Sequence, residues 1–201
     1  MDHDAIEQAI ATARLLPVLR TPDAAGAIRA AETLLGAGLG VIELTATTPG
    51  WADALSGLRR THPEAVLGAG TVTTADDARR AIDAGANFLV SPYPSPPVRG
   101  FAEETGMVFL EGGFTPAEVA AASARGIAKL FPAHVGGPAY LRSILAVLPG
   151  ARIVPTGGIG LGQVRDYLAA GAYAVGVGSD LVKAPDPARA VRELLEERSD
   201  G

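Results

Sequence analysis

The chain has 201 residues, 48% of them hydrophobic, which is enough for one domain with a substantial core and short for two. Its net charge is −5 with acidic and basic residues interspersed, so nothing supplies the basic surface that nucleic-acid binding requires. The absence of cysteine excludes disulfides and thiolate metal sites.

Eight short apolar or β-rich segments recur along the chain, and each is followed by an Ala/Leu-rich segment with helical spacing. They are Leu15–Arg20, Val41–Thr45, Ala65–Thr71, Phe88–Pro92, Met107–Leu110, Ile127–Phe131, Arg152–Thr156 and Tyr173–Gly178. Each interval has the length of one βα unit. Eight such units without a linker predict one (β/α)8 TIM barrel domain over residues 1–201. The alternative is an open doubly wound sheet with an unusual strand count.

Helices are expected at both ends of this pattern, with residues 2–14 forming an extra N-terminal helix. The tail after Pro187 is predicted to be the last helix, fraying at Ser199–Gly201. Helix starts are indicated by four threonine segments, and helix ends by three Ala-Gly junctions. The threonines are Thr21, Thr48, Thr74 and Thr115, and the junction glycines are Gly38, Gly85 and Gly171.

The apolar segments are far shorter than the roughly 20 residues that span a bilayer, so we expect no membrane partner. The first residues are acidic where a secretory signal would be basic. Together with the absence of cysteine, this predicts a cytoplasmic location.

The chemistry of the chain is indicated by Lys129, one of only two lysines among 17 basic residues. It lies within the apolar run Ile127–Pro132, where desolvation of an ammonium is costly and favours either a paired or a neutral amine. A neutral amine is a nucleophile, whereas arginine forms no Schiff base. The sequence therefore predicts amine chemistry at this position.

Barrel enzymes carry their sites at the carboxyl ends of the strands. Glu43 and Lys129 fall on inward-facing positions of the second and sixth strands, so we expect them to face each other across one cavity. The alternative for this pair is a buried structural ion pair. Arg20, at the end of the first strand, can bind a carboxylate or hold Glu43 ionised; the alternative is a solvated strand terminus.

Two glycine-rich segments follow the seventh and eighth strands and contain Gly157, Gly158, Gly178 and Ser179. Glycine there lets backbone N–H groups approach an anion, at the usual phosphate position of such barrels. The three histidines predict no metal cluster, Trp51 is interpreted as a core or subunit-contact residue, and Lys183 as an exposed residue.

Successive motifs over nearly the whole chain resemble the 2-keto-3-deoxy-6-phosphogluconate aldolases. They are Pro17–Arg20, Ile42–Thr45, Gly68–Val72, Phe88–Pro92, Thr115–Glu118, Lys129–Ala133 and Pro155–Gly158. The resemblance implies a trimeric class I aldolase with Lys129 as Schiff-base residue and Glu43 as general acid/base. It also implies that Thr71 and the Lys129 strand hold the pyruvate carboxylate, that Pro92 and Phe131 line the pocket, and that Gly157, Gly158 and Ser179 bind phosphate.

The activity that this resemblance implies is cleavage of a 2-keto-3-deoxy-6-phospho sugar acid to pyruvate and glyceraldehyde 3-phosphate, without a metal or organic cofactor. Two residues depart from the gluconate-type pattern. Thr47 stands where the gluconate-type enzymes usually carry arginine, and this neutral residue is more similar to the galactonate-type relatives. Glu111 stands where the family commonly has proline before glycine. Because an extra carboxylate repels an anionic substrate, Glu111 must face away, be neutralised, or indicate a changed substrate.

Three other functions remain compatible with the sequence. One is an aldolase for 4-hydroxy-2-oxoglutarate or another unphosphorylated aldol. The others are a phosphate-binding barrel isomerase or epimerase, in which Lys129 is only electrostatic, and a non-catalytic barrel that binds sugar phosphates.

Overall fold

The predicted (β/α)8 barrel is confirmed by the computed structural model, which describes residues 1–196. All eight predicted strands are present and parallel. They are β1 (Leu15–Leu19), β2 (Val41–Thr45), β3 (Val66–Gly70), β4 (Phe88–Val90), β5 (Val108–Gly113), β6 (Ala128–Leu130), β7 (Ile153–Pro155) and β8 (Val175–Val177). The predicted bounds differ mainly at β5, which extends three residues further and includes Glu111 and Gly112.

Helices alternate with these strands around the outside of the barrel. They are α1 (His3–Ala13), α2 (Ala24–Gly36), α3 (Trp51–Thr61), α4 (Ala75–Asp83), α5 (Pro96–Thr105), α6 (Pro116–Ser123), α7 (Gly137–Val147), α8 (Val164–Ala169), α9 (Ser179–Val182) and α10 (Pro187–Glu196). Short 3-10 turns at Ala133–Val135 and Leu161–Gln163 precede α7 and α8. The N-terminal and last helices are confirmed, whereas the expected fraying at 199–201 lies outside the described residues. No helix in the described part of the chain has the length and apolarity needed to cross a membrane.

The strands follow one another around the sheet, with β8 pairing back to β1. A parallel bridge between Thr156 and Gly176 joins the ends of β7 and β8, and the Tyr173 N–H donates to the Ile153 carbonyl at 2.8 Å. These contacts bring the last two strands together, so the alternative of an open doubly wound sheet is wrong. The closed arrangement aligns the carboxyl ends of all eight strands at one rim.

The strand register brings the two predicted catalytic positions to the same interior. Every residue of β2 is buried, as is every residue of β6, because helices cover the outside and the barrel interior is filled. Glu43 is in register with Gly68 on β3, and Lys129 with Gly112 on β5. Each of the two charged residues therefore has a glycine beside it on a neighbouring strand, β3 for Glu43 and β5 for Lys129.

The predicted helix boundaries were correct where a threonine hydroxyl caps the helix. Thr74 and Thr115 each accept a hydrogen bond from the third helical N–H, and Glu118 completes a capping box with Thr115. Thr21 and Thr48 are not caps: α2 is capped by Asp23, and α3 begins after Gly50. Instead, the Thr48 hydroxyl accepts a hydrogen bond from the Thr21 N–H at 3.2 Å, which connects two loops at the carboxyl-terminal rim of the strands.

Candidate active site

Lys129 and Glu43 face each other inside the barrel, as predicted. The Lys129 Nζ lies 3.6 Å from the Glu43 Oε1, and their side chains are 6% and 1% exposed. This separation allows ion pairing but is longer than a normal hydrogen bond. Neither Glu43 oxygen has a hydrogen-bond partner in the described part of the chain. A buried carboxylate without such partners is costly, and it is available to exchange a proton with a bound molecule.

Burial dominates the electrostatics of Glu43 and raises the pKa of its carboxyl group above the usual value. The positive charges of Lys129 and Arg20 oppose this effect but do not cancel it. A raised pKa brings the protonated and ionised forms of a carboxyl group closer in free energy at physiological pH, which suits a group that accepts and then donates a proton. Glu43 therefore has the electrostatic character of a general acid/base.

Glycine at position 70 makes room for the Glu43 side chain. A Cβ added there would lie 1.8 Å from the Glu43 Oε1, which no real contact permits. The next residue, Thr71, has a φ of 57° although it is not glycine, a backbone conformation that is strained for a β-branched residue. The Arg20 guanidinium donates to the Thr71 hydroxyl at 3.4 Å, so the strained turn brings a hydroxyl next to a cation at the rim.

One cleft opens from Lys129 toward solvent and contains nearly all the predicted site residues. It is lined by Arg20, Thr71, Pro92, Lys129, Phe131, Gly157, Gly158, Gly178 and Ser179. Glu43 lies below it, next to Lys129. The Phe131 ring lies close to the amine, with its centroid 5.7 Å from the Lys129 Nζ. Thr47, in the place of the usual arginine, is exposed and donates to the Thr45 hydroxyl at 3.2 Å.

The glycine loops after β7 and β8 form the outer wall of this cleft. Gly157 and Gly158 have φ values of 96° and 69°, so both need a residue without a Cβ. A Cβ on Gly157 would meet the Phe131 ring at 2.7 Å, and one on Gly158 would meet the His134 ring at 2.5 Å. The N–H groups of Gly158 and Ser179 have no acceptor among the residues that the structure describes. These donors can serve an anion.

The cleft also contains residues that are not among the predicted site residues, namely Val18, Thr156, Ile159, Gly160, Gln163, Asp180 and Lys183. The sequence does give a signal for Asp180 and Lys183: both closely follow Ser179, a predicted phosphate-binding residue at the carboxyl end of β8. Lys183 is exposed as predicted, but it lies at the rim of the cleft. Trp51 is a core residue, 3% exposed, with the Arg80 guanidinium over its ring.

Glu111 is both turned away from the cleft and neutralised. Its carboxylate accepts two hydrogen bonds from the Arg99 guanidinium, at 2.6 and 2.9 Å, and one from the Ser95 N–H at 2.8 Å. The hydrogen bonds to Glu111 raise the pKa of Arg99. The neighbouring Gly112 N–H donates to the Ser91 hydroxyl at 3.1 Å. Glu111 and Gly112 thus hold both ends of the loop that carries Pro92, and Glu111 adds no unpaired carboxylate to the cleft.

Replacing Arg99 with methionine is expected to destabilise the barrel by about 3 kcal/mol, because it leaves a buried carboxylate without its charged partner. The Glu111 side chain is only 5% exposed, so water cannot replace the guanidinium. Urea unfolding at pH 7 measures the loss. The double variant Arg99→Met/Glu111→Gln removes both charges and is expected to recover much of the stability. A double variant no more stable than Arg99→Met would contradict this account.

Known proteins resemble this chain over most of its length. A family model described as "KDPG and KHG aldolase" matches residues 6–190. A probable 2-dehydro-3-deoxy-6-phosphogalactonate aldolase from Rhizobium meliloti is 37% identical over 183 residues, covering 89% of this chain and 85% of the relative. A 2-dehydro-3-deoxy-phosphogluconate aldolase from Haemophilus influenzae is 35% identical over 159 residues, covering 78% and 75%.

A solved structure with similar architecture is the KDPG aldolase from Legionella pneumophila, which holds pyruvate captured at low pH as a covalent carbinolamine intermediate. It matches this chain with a TM-score of 0.84 and 28% identity, covering 96% of this chain and 97% of that one. The similarity extends over the whole barrel.

Proposed function

This chain belongs to the KDPG and KHG aldolase family, and we propose that it is a class I aldolase that cleaves a 2-keto-3-deoxy-6-phospho sugar acid to pyruvate and glyceraldehyde 3-phosphate. It is thus a carbon–carbon lyase. The observation that carries the proposal is the buried Lys129 amine, which opens to the cleft and lies 3.6 Å from the Glu43 carboxylate. This pair supplies both a nucleophile and a proton acceptor at one point.

The first step is addition of the neutral Lys129 amine to the C2 keto carbon of the substrate. Proton transfer gives a carbinolamine, and loss of water then gives a protonated imine. The Lys129 amine is shielded from bulk water and borders the cleft, so it is placed to meet the keto carbon of a bound substrate. The protonated imine holds the substrate on Lys129 and is the electron acceptor for the bond cleavage that follows.

In the second step Glu43 accepts the proton of the C4 hydroxyl, directly or through water, as the C3–C4 bond breaks. The bonding electrons move into the iminium and give an enamine, while C4 becomes the carbonyl carbon of glyceraldehyde 3-phosphate. Protonation of the enamine at C3 and hydrolysis of the imine then release pyruvate and restore Lys129. The pKa of Glu43, raised by burial, suits a group that takes and returns a proton in one cycle.

The rest of the cleft suits the two ends of this substrate. Arg20 and Thr71, which contact each other at 3.4 Å, bind the pyruvate carboxylate with the Lys129 strand. Pro92 and Phe131 pack against the carbon chain next to the amine. The backbone of Gly157, Gly158, Gly178 and Ser179 binds the phosphate, and the N–H groups of Gly158 and Ser179, which have no acceptor within residues 1–196, support this role.

The proposal also covers the assembly and location of the enzyme. We infer a homotrimer in the cytoplasm and one domain over residues 1–201. Tyr93 and Val135, on loops after β4 and β6, are 55% and 63% exposed, and such apolar side chains suit a subunit contact. The lack of cysteine suits a reducing compartment.

An aldolase for 4-hydroxy-2-oxoglutarate or another unphosphorylated aldol is the second candidate. The carboxylate of Asp180 at the outer end of the cleft favours it, because a negative charge there opposes a phosphate dianion more strongly than a single carboxylate or an uncharged group. In this case the chemistry at Lys129 and Glu43 is unchanged and only the outer subsite differs.

We expect the purified enzyme to release pyruvate from the gluconate or the galactonate epimer of the phosphorylated substrate. Because the free N–H groups recognise the phosphate, kcat/KM for the phosphorylated acid is expected to exceed that for its unphosphorylated counterpart by about 10-fold or more. Lactate dehydrogenase coupled to pyruvate release measures both rates. Lys129→Ala protein purified in parallel controls for a contaminating host aldolase, and a folded enzyme that cleaves none of these acids would contradict the proposal.

A further inference from the structure

The outer end of the cleft carries two opposite charges that the proposed mechanism does not use. Asp180 lies in the first turn of α9, and Lys183 follows directly after this helix. Both line the cleft on the side of the glycine loops. The Lys183 side chain is exposed, and its Nζ forms no ion pair or hydrogen bond with any residue that the structure describes. Its cation is thus available to a molecule in the cleft.

Asp180 has a fixed position because it accepts a backbone hydrogen bond. Its Oδ2 accepts the Leu161 N–H at 2.7 Å, and the Gln163 side-chain oxygen accepts the Gly160 N–H at 3.0 Å. Of the loop after β7, therefore, the Gly160 and Leu161 donors are occupied, whereas that of Gly158 has no acceptor in the described part of the chain. The backbone donor that is available to a bound anion therefore precedes the part of the loop that contacts the Asp180 carboxylate.

In this arrangement the negative charge of Asp180 opposes the binding of an anionic group at the outer end of the cleft. A phosphate ester carries close to two negative charges at neutral pH, and Asp180 adds a third in the same region. Arg20 and Lys129 lie at the inner end, where the keto acid needs them. Among the described residues that line the cleft on the side of Asp180, Lys183 is the one cation. Without it the outer end has a net negative charge and repels an anionic group.

We propose that Lys183 binds the terminal phosphate of the substrate and determines the preference of this enzyme for phosphorylated over unphosphorylated acids, while Asp180 opposes it and limits the subsite. This proposal rests on the aldolase function proposed above. Lys183 is a flexible point charge on a long side chain, so it can follow the phosphate when the aldehyde product leaves. The backbone donors provide the geometry of the subsite and Lys183 provides its charge.

Lys183→Met is expected to lower kcat/KM for the phosphorylated acid by about 10- to 100-fold, mainly through KM, because one charge-assisted hydrogen bond is lost. For the unphosphorylated counterpart we expect less than about a threefold change, since that substrate offers no dianion at this position. Lys183→Arg retains the cation and is expected to recover most of the loss. Equal losses on both acids would overturn the assignment.

Asp180→Asn tests the opposing charge. The asparagine oxygen can still accept the Leu161 N–H, so the loop is retained while its negative charge is removed. We expect KM for the phosphorylated acid to fall, with no change for the unphosphorylated one. Arg29→Met, on the exposed surface of α2, loses the same charge as Lys183→Met away from the cleft and is expected to leave both values unchanged.

Two further measurements separate this proposal from the aldolase function itself. Borohydride reduction in the presence of pyruvate is expected to label Lys183→Met as fully as the wild type, since pyruvate has no phosphate. If Lys183→Met is labelled and cleaves the phosphorylated acid at the wild-type rate, the proposed role of Lys183 is overturned and the aldolase function remains in place. Wild-type protein that is never labelled would overturn the aldolase function. An equal loss on 4-hydroxy-2-oxoglutarate would show that Lys183 serves a distal carboxylate, which contradicts the phosphate assignment.

Discussion

Lys129→Ala is expected to lower kcat by several orders of magnitude, on the scale seen when the nucleophile of a covalent mechanism is removed. Alanine cannot form the imine, so the electrons of the breaking C3–C4 bond have no acceptor. The variant is expected to remain folded, because it removes a buried charge along with a long side chain and leaves Glu43 free to be neutral. Steady-state rates and a thermal unfolding curve measure the two effects separately.

Reductive trapping locates the nucleophile directly. With pyruvate and borohydride, the wild type is expected to gain one pyruvyl unit, and peptide mass spectrometry is expected to find it on Lys129. Lys183 is the only other lysine side chain in the sequence, so the assignment lies between two sites. Lys129→Arg retains the charge but not the chemistry and is expected to be neither labelled nor active. Turnover close to wild type in either variant would contradict the Schiff base.

The barrel and the contact between Glu43 and Lys129 could be predicted from the sequence because both depend on regular patterns. The eight βα intervals predict the architecture, and strand alternation with a carboxyl-terminal rim predicts that Glu43 and Lys129 meet. The caps at Thr74 and Thr115 depend only on residues within one turn, which the sequence places together. Such local and periodic features need no knowledge of the tertiary packing.

Other features depend on contacts between distant segments and could not be predicted. Thr21 and Thr48 have the pattern of caps, but the Thr48 hydroxyl serves the Thr21 backbone of another loop. The neutralisation of Glu111 requires Arg99 from the neighbouring βα unit, and Gly70 is explained only by the side chain of Glu43 on the adjacent strand. Lys183 has the sequence pattern of an ordinary exposed residue, and exposure alone does not show that a side chain borders a cleft.

The pH dependence of activity is expected to show the titration of Glu43. Its pKa is raised by burial, and cleavage needs the ionised form to accept the C4 hydroxyl proton. Activity should therefore rise with pH through this raised pKa, above the range of an ordinary glutamate. Glu43→Gln is expected to lower kcat by about 10²- to 10⁴-fold and to remove this acidic limb. Glu32→Gln, an exposed carboxyl on α2, is the matched control and should retain it.

The pH dependence of the unfolding free energy is a second, independent measure of the raised pKa of Glu43. Because the pKa of Glu43 is higher in the folded barrel than in the unfolded chain, its contribution is fully present below the unfolded pKa and is lost as pH rises through the folded one. Glutamine does not ionise, so the Glu43→Gln barrel should lack this loss, and its unfolding free energy should fall less than that of the wild type as pH rises toward 8. A variant that unfolds at neutral pH would instead identify Glu43 and Lys129 as a structural ion pair. A folded but slow variant assigns Glu43 to proton transfer, because removal of a purely structural charge would not remove the acidic limb of the rate profile.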